Sequence, residues 1–134
     1  MQKGKSKKQT EIKPKTIDEI LKMTIKKYGY HSALVISDEA LIVAGAENKK
    51  LDIEQKNMVA MCLMEMLKFI SEIELGKEKF TDLILGTPQT IQLITRVFPT
   101  ENGTMMLTFI ADHNAAYRRA LQTTVREVQS RLNF

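Results

Sequence analysis

The chain has 134 residues, enough for one ordinary domain, and its 43% hydrophobic and 27% charged content is typical of a folded globular protein. This composition excludes a collagenous, a wholly disordered or a disulfide-stapled chain. The longest apolar run, 58–64, is far shorter than the roughly 18 to 20 residues that span a bilayer, so we predict no transmembrane segment. The one cysteine, Cys62, and the absence of an apolar signal segment predict a cytoplasmic protein.

The net charge of +4 is concentrated at the N-terminus. Residues 1–15 contain six lysines and one acid, a net of +5, so the remaining residues sum to −1. This stretch has too few apolar residues to fold, and we predict a disordered lysine-rich tail over 1–15 and one domain over 16–134. The tail is interpreted as a solubilising extension, with weak attraction to anionic lipid, nucleic acid or an acidic partner as the alternative. Because the domain is nearly neutral and the chain has no Trp, we predict no specific nucleic-acid binding.

The ordered part begins with a predicted helix and a β-hairpin. Thr16-Ile17-Asp18-Glu19 has the pattern of a capping box, and apolar residues recur at helical spacing until Gly29 ends the helix. Two short apolar runs, 31–37 and 40–45, flank Asp38-Glu39 and predict the hairpin. Both runs are almost continuously apolar, which indicates strands covered on both faces.

A long second helix is predicted from its cap at Asp52, with Gln55 as the reciprocal partner, to Leu75, where Gly76 ends it. At 100° per residue, the arc facing the sheet contains Val59, Leu63, Met66, Leu67, Ile70 and Ile73. The opposite arc contains Glu54, Met58, Met61, Glu65, Lys68 and Glu72, with Cys62 and Phe69 at one edge and Met64 at the other. Large apolar side chains among charges predict a helix-to-helix dimer contact or a partner contact, the alternative being scattered solvated residues.

Three strands and a last helix complete the predicted fold. The strands cover 79–86, 90–98 and 104–111, and Asn114 caps the helix. The apolar stripe of that helix contains Tyr117, Leu121, Val125, Val128 and Leu132. The predicted fold is therefore an α/β sandwich of order α-β-β-α-β-β-β-α, with a five-stranded antiparallel sheet covered by helices on both faces.

This order resembles the roadblock/dynein light chain family over about 17–132. The resemblance is carried by Tyr28-Gly29-Tyr30-His31-Ser32-Ala33-Leu34-Val35-Ile36-Ser37-Asp38 leading into Ala40-Leu41-Ile42-Val43-Ala44-Gly45, by the Met-rich middle helix, and by Ala111-Asp112-His113-Asn114 before the last helix. The long last helix is similar to the prokaryotic branch. Relatives commonly have Asp-Gly at the first hairpin turn, where this chain has Asp38-Glu39-Ala40.

The resemblance implies a cytoplasmic homodimer that regulates or scaffolds a Ras-like small GTPase without catalysing a reaction. Such domains pair through the middle helix and the third strand, which joins two five-stranded sheets into one. The residues expected at the dimer or partner interface are Met58, Met61, Cys62, Met64, Glu65, Lys68, Phe69, Glu72, Leu83 and Leu85. The alternatives are a structural adaptor subunit that leaves nucleotide turnover unchanged and, by analogy with profilin-like sheets, a small-ligand sensor.

The residues themselves predict no enzyme, cofactor or metal site. Neither 76–79 nor 86–88 has the spacing and ending of a phosphate loop, so we expect no GTP binding by the chain itself. His31 and His113 are far apart and are interpreted as structural or solvated, and Cys62, inside an apolar run, as a buried, inert thiol. The last helix contains Arg118, Arg119, Arg126 and Arg131, which are interpreted as solvated rather than as arginines supplied to a GTPase.

Overall fold

The computed structural model describes residues 15–133, and that part of the chain contains three helices and seven strands. Five strands form one antiparallel sheet in the order β2-β1-β7-β6-β5, and the two short strands β3 and β4 pair as a separate hairpin. The elements are α1 (Ile17–Tyr28), β1 (Ser32–Ser37), β2 (Ile42–Glu47), α2 (Ile53–Ile70), β3 (Glu74–Leu75), β4 (Glu78–Lys79), β5 (Asp82–Gly86), β6 (Ile91–Thr100), β7 (Gly103–Asp112) and α3 (Arg118–Leu132).

Helices cover both faces of the sheet, as the sequence predicts. On one face, α1 and α3 pack around a core that includes Leu21, Phe109 and Leu121. On the other face, Leu63 and Leu67 of α2 pack in a smaller core against β1 and β7. Burying an apolar side chain of this size contributes about 1.5–3 kcal/mol, so each helix is held to the sheet by its apolar side. The predicted α/β sandwich is therefore confirmed.

Side chains and caps fix α1 and α3 side by side in opposite directions. The capping box predicted at Thr16 is present, with Glu19 Oε1 accepting from the Thr16 N–H at 2.8 Å, and Gly29 ends α1 with φ of 74°. The Tyr30 hydroxyl donates to the Ala116 carbonyl near the start of α3, and burial raises the pKa of Tyr30 to about 12. At the other end, Arg131 Nε donates to the Lys15 carbonyl at 2.8 Å. The outer sides of the two helices therefore form one surface.

The middle helix is shorter than the sequence predicts. It ends at Ile70 with Ser71 as its C-cap, and 74–79 turns back as the β3–β4 hairpin. Gly76, predicted as the helix stop, is the first residue of the two-residue hairpin loop and has φ of 67°. This conformation suits glycine, and the preceding residues pair across the hairpin instead of extending the helix. The prediction of a helix to Leu75 is therefore wrong. The strand predicted over 79–86 is present as β5 but begins only at Asp82.

Two further boundaries differ from the sequence predictions. The last helix begins at Arg118 with Tyr117 as its N-cap residue, not at Asn114. Gln92 Nε2 donates to the carbonyls of Asp112 and Ala115 and so holds the preceding segment in a turn. Strand β2 lies two residues later than predicted, at the edge of the sheet, and Ala44 is its one buried residue. The prediction that both faces of β2 are covered is wrong, because the helices overlay this outermost strand only partly and leave Val43 45% exposed.

The first hairpin turn stores backbone strain at Ala40, which has φ of 63°. The Ser37 carbonyl accepts from the Ala40 N–H at 2.9 Å, so the turn holds this residue in a conformation that favours glycine. We expect Ala40→Gly to raise the free energy of unfolding by about 0.5–1 kcal/mol. Chemical denaturation of both proteins measures the difference. Ala44→Gly in the adjacent strand is the control and should lower the free energy of unfolding. If both substitutions lower it equally, the backbone at Ala40 is not strained.

Candidate interaction surface

The outer side of α2 exposes large apolar side chains that a monomer would leave in water. Met58 is 65% exposed, Met61 61% and Phe69 73%. Exposed charges separate them, including Glu65 and Lys68, whose carboxylate and ammonium lie 3.4 Å apart. A single exposed apolar residue is ordinary, whereas a row of them on one helix is typical of interaction surfaces. We call this row, together with Glu65 and Lys68, the α2 face.

The apolar surface continues past the end of α2 onto the β3–β4 hairpin. Eight of the eleven large apolar residues that are exposed in residues 15–133 lie between Ile53 and Ile84. An open groove of about 290 Å³ lies between the C-terminal half of α2 and the sheet, lined in part by Met64, Ile70 and Phe80. Lys68 also lines the groove, which makes it continuous with the α2 face. The exposed large apolar residues over 53–80 are Ile53, Met58, Met61, Phe69, Ile73, Leu75 and Phe80.

Strand β5 leaves one edge of the sheet open. The Thr81 carbonyl accepts from Val97 of β6, and the Thr87 N–H donates to Ile91 of β6, both at 2.8 Å. Because backbone groups alternate in direction along a strand, the N–H and C=O groups of Asp82, Ile84 and Gly86 point away from β6. Within the described residues, no strand pairs with them. This edge can therefore accept another strand by backbone hydrogen bonding.

The opposite edge of the sheet is blocked by α1. Asp18 Oδ1 accepts from the Gly45 N–H of β2 at 2.9 Å. The Asp18 side chain therefore uses a backbone N–H that an incoming strand would need. Covering an edge strand in this way is a common protection against pairing with another chain. The two edges differ, and β5 is the one that is available for pairing.

An ion pair holds the open strand β5 to its neighbour β6. Asp82 accepts from Arg96 Nε and from a second guanidinium nitrogen, each at 2.8 Å, in a two-pronged pair directly across β5 and β6. The hydrogen bonds from Arg96 are the largest cause that lowers the pKa of the Asp82 carboxyl below its usual value. The pair therefore fixes the strand that offers its other edge to solvent.

We expect Asp82→Asn to lower the free energy of unfolding at neutral pH by about 1 kcal/mol, because an amide cannot replace the two-pronged carboxylate. A carboxyl whose pKa is lowered in the folded state contributes stability above its unfolded pKa of about 3.9 and loses it as the pH falls through the folded value. The difference in the free energy of unfolding between the original chain and Asp82→Asn should therefore become smaller below about pH 4. Urea denaturation at several pH values measures it. The exposed Glu74, whose partner Lys79 lies at 3.7 Å, gives the control Glu74→Gln, and a difference no larger than this control would contradict the prediction.

The residues predicted for the interface lie together on one side of the sheet. Met58, Met61, Cys62, Glu65, Lys68 and Phe69 are exposed on α2, Met64 is half-buried beside them, and Glu72 is exposed just after the helix. Leu83 and Leu85 are half-buried and pack in the core under α2. The prediction that Cys62 is a buried thiol is wrong, because its position lies at the outer edge of the helix.

Most of the residues that the helical wheel predicts to face the sheet do so in the structure. Leu63 and Leu67 are buried, and Val59, Met66 and Ile70 pack against the same core. Ile73 is 47% exposed, because it lies beyond the end of α2, and the buried Ala60 was not predicted. Sequence reasoning also missed the exposed apolar residues of the hairpin, of which Leu75 is one. The signal that could have found them is Gly76, because a Gly-X pair between short alternating segments is typical of a two-residue hairpin loop.

The candidate chemical groups are dispersed over the surface. His31 Nε2 lies 2.8 Å from Asp112 Oδ1, and His113 is exposed, which agrees with the structural and solvated roles predicted for them. Within residues 15–133, no group of three His, Cys, Asp or Glu side chains is arranged to hold a metal ion. No helix of this part of the chain is long and apolar enough to cross a membrane.

The fold recurs in solved structures of bacterial proteins. MglB of Myxococcus xanthus aligns with a TM-score of 0.70 and 10% identity, over 85% of this chain and 92% of that one. The fold is a roadblock fold. A Roadblock/LC7 domain from Streptomyces avermitilis aligns with a TM-score of 0.65 and 15% identity, over 84% of this chain and 92% of that one. An MglB described as having a tetrameric arrangement aligns at 0.70 and 16% identity, over 87% of both chains.

Sequence comparison alone does not find this likeness. No family model matches the sequence, and no curated protein matches it significantly. The identities of 10–16% with the solved roadblock proteins explain this, because so few shared residues leave the topology as the main common feature. The resemblance that the sequence indicates is therefore confirmed at the level of the fold.

Proposed function

We propose that the chain is a non-catalytic homodimer that regulates or scaffolds a Ras-like small GTPase in the cytoplasm. The proposal rests on one observation: a roadblock fold that combines an apolar α2 face with a β5 edge left unpaired within the described residues. The roadblock resemblance implies dimer contacts at these two elements and a small GTPase as the partner. A solved MglB with a tetrameric arrangement supports self-association as a property compatible with this fold.

Pairing through β5 has a definite geometry. If two copies of β5 pair antiparallel, the two-fold axis is perpendicular to the sheet, and a continuous ten-stranded sheet results. This axis keeps both α2 helices on one side of the joined sheet and brings them next to each other. The apolar residues of the α2 face are then covered by the same residues of the second copy, as in other isologous interfaces. The groove beside Phe80 and the hairpin are left for the GTPase.

Regulation by this protein would act through the partner's own chemistry. The sequence has no phosphate loop, so the GTPase supplies the nucleotide site. A platform that binds one nucleotide state of the GTPase better than the other shifts the population of that state by the ratio of the two affinities. The alternative function is a structural adaptor, which binds its partner equally well in both states.

A turnover assay separates the two functions. The small Ras-like GTPases of the source organism are assayed for GTP hydrolysis and nucleotide exchange, each with and without the full chain. We expect one of them to change its rate of hydrolysis or exchange at least severalfold. Binding of a GTPase with unchanged rates and equal affinity for its two nucleotide states would identify an adaptor instead.

We expect Arg118→Ala, Arg119→Ala and Arg126→Ala each to preserve any stimulation of GTP hydrolysis. All three are exposed on α3, which lies on the face of the sheet opposite α2. A stimulating arginine must reach the transferred phosphate, and its loss lowers turnover by about 10³–10⁵. Single-turnover hydrolysis measures the effect. A loss of that size in one variant that still binds the GTPase would make that arginine catalytic.

A further inference from the structure

The layer formed by α1 and α3 has an unbalanced charge. Residues 15–28 and 118–132 contain eight lysines and arginines and three carboxylates, a net of +5. Two of the carboxylates, Asp18 and Glu19, accept hydrogen bonds from backbone N–H groups at the rim. The exposed cations of this layer are Lys15, Lys22, Lys26, Lys27, Arg118, Arg119 and Arg126.

The cations lie on one broad surface. The buried residues of α1 and α3, such as Leu21 and Leu121, face the sheet, so Lys22 and Lys26 of α1 and Arg119 and Arg126 of α3 point away from it. Thr24 and Thr124 hydrogen-bond at 3.2 Å and hold the middles of the two helices together. We call this surface the basic face.

The basic face also offers an apolar side chain. Met23 is 53% exposed and lines a shallow groove of about 270 Å³ between the two helices, with Lys27 and Glu127 at its sides. A flexible thioether surrounded by lysine side chains suits the boundary between lipid headgroups and acyl chains.

The opposite layer has the opposite sign. Residues 52–80, which contain α2 and the hairpin, have four lysines and six carboxylates, a net of −2. The protein is therefore electrically polar across its sheet, with its positive side away from the α2 face.

We propose that the basic face docks on a membrane surface rich in anionic lipid. Each lysine or arginine near such a surface contributes about 1 kcal/mol of attraction, and the face brings several to one plane. A nucleic acid fits less well, because the face exposes no tryptophan or phenylalanine for base stacking, and Tyr28 is half-buried against Tyr30. Docking by this face leaves the α2 face directed away from the lipid, where a second copy and a partner can reach it.

The proposed dimer would strengthen this docking. Membrane binding by a single copy does not depend on the proposed function, and only the gain from two copies does. A two-fold axis perpendicular to the sheet places the basic faces of both copies on the same side. Two faces that reach one membrane together bind more tightly than either alone, because the second contact forms within the same complex. A monomer should still bind, more weakly.

Vesicle sedimentation of the full chain tests the proposal. One set of vesicles contains phosphatidylcholine alone, and the other contains phosphatidylcholine with phosphatidylserine. The test variant is Lys26→Glu with Arg126→Glu. The control variant is Lys50→Glu with Lys77→Glu, which makes the same change of net charge at exposed lysines outside the basic face. Lys26→Gln with Arg126→Gln is a milder second test variant.

We expect binding only to the vesicles with phosphatidylserine, a steep loss between about 0.1 and 0.5 M salt, and at least about tenfold weaker binding by the test variant. The control variant should bind within about twofold of the original chain, since its lysines lie off the face. Equal loss in test and control variants would assign binding to net charge or to 1–14 and would overturn the proposal. Tighter binding to an oligonucleotide than to anionic vesicles, lost in the same test variant, would overturn it in favour of nucleic acid. Light scattering of each variant reports self-association separately, so a failed dimer and a failed membrane contact are distinguishable.

Discussion

Met61→Glu should raise the dimer dissociation constant at least about a hundredfold while leaving the monomer folded. Met61 is 61% exposed on α2, so its substitution removes nothing from the core of one copy. In a two-fold interface the substitution acts twice, and each copy loses about 1.5–3 kcal/mol of apolar burial and places a charge in a contact that excludes water. Light scattering over a range of concentrations measures the mass, and circular dichroism reports the fold.

Met23→Glu is a matched control for this experiment. Met23 is 53% exposed, and it lies on α1, on the opposite side of the sheet. The same substitution at similar exposure should therefore leave the dimer unchanged. A Met61→Glu protein that remains a dimer with the original affinity would mean that the α2 face is solvated, as scattered apolar residues are.

Ile84→Pro should abolish dimer formation by a different route. The N–H of Ile84 points away from β6, so proline removes a donor from the open edge without removing a hydrogen bond within the sheet. Pairing with a second β5 would then lose a hydrogen bond in each copy and meet the proline ring at the centre of the contact. We expect a monomer at micromolar concentration by sedimentation equilibrium.

Ile84→Ala separates the backbone from the side chain. It keeps the N–H and removes most of the half-exposed side chain, so the dimer should persist. A dimer in both variants would show that the sheets do not join at β5. Loss of the dimer in both would assign the contact to the Ile84 side chain.

The sequence predicts the parts of this fold that depend on local patterns. The capping box at Thr16 and the apolar spacing of α1 and α2 indicate helices because hydrogen bonds at a helix start and burial of one side are set by neighbouring residues. The five-stranded sheet follows from the number and order of apolar segments. The end of α2 could not be predicted in the same way. Ile73 continues the helical spacing of Ile70, so the helical pattern does not stop at the true end of α2. The hairpin that follows depends on Gly76 and on cross-strand pairs such as Glu74 with Lys79.

The sequence predicts only part of the candidate interaction surface. The helical wheel identifies Met58 and Met61 as outward residues because α2 is regular over that stretch. The open β5 edge and the blocked β2 edge could not be predicted, because they depend on which strands become neighbours and on Asp18 reaching Gly45 across 27 positions of sequence. Cys62 was misassigned because an apolar run indicates burial on average, whereas a helix directs some of its members outward.

The mass of the complex with a small GTPase shows whether the chain binds its partner as a dimer. The full chain, with a subunit mass of 15.3 kDa, is mixed with each Ras-like GTPase of the source organism, loaded with GDP or with a GTP analogue that is not hydrolysed, and analysed by size-exclusion chromatography with light scattering. We predict a complex that contains two copies of the chain, that prefers one nucleotide state of one GTPase, and that Met61→Glu dissociates or weakens while Met23→Glu does not. A chain that remains a monomer and binds none of these GTPases in either nucleotide state would contradict the proposed function.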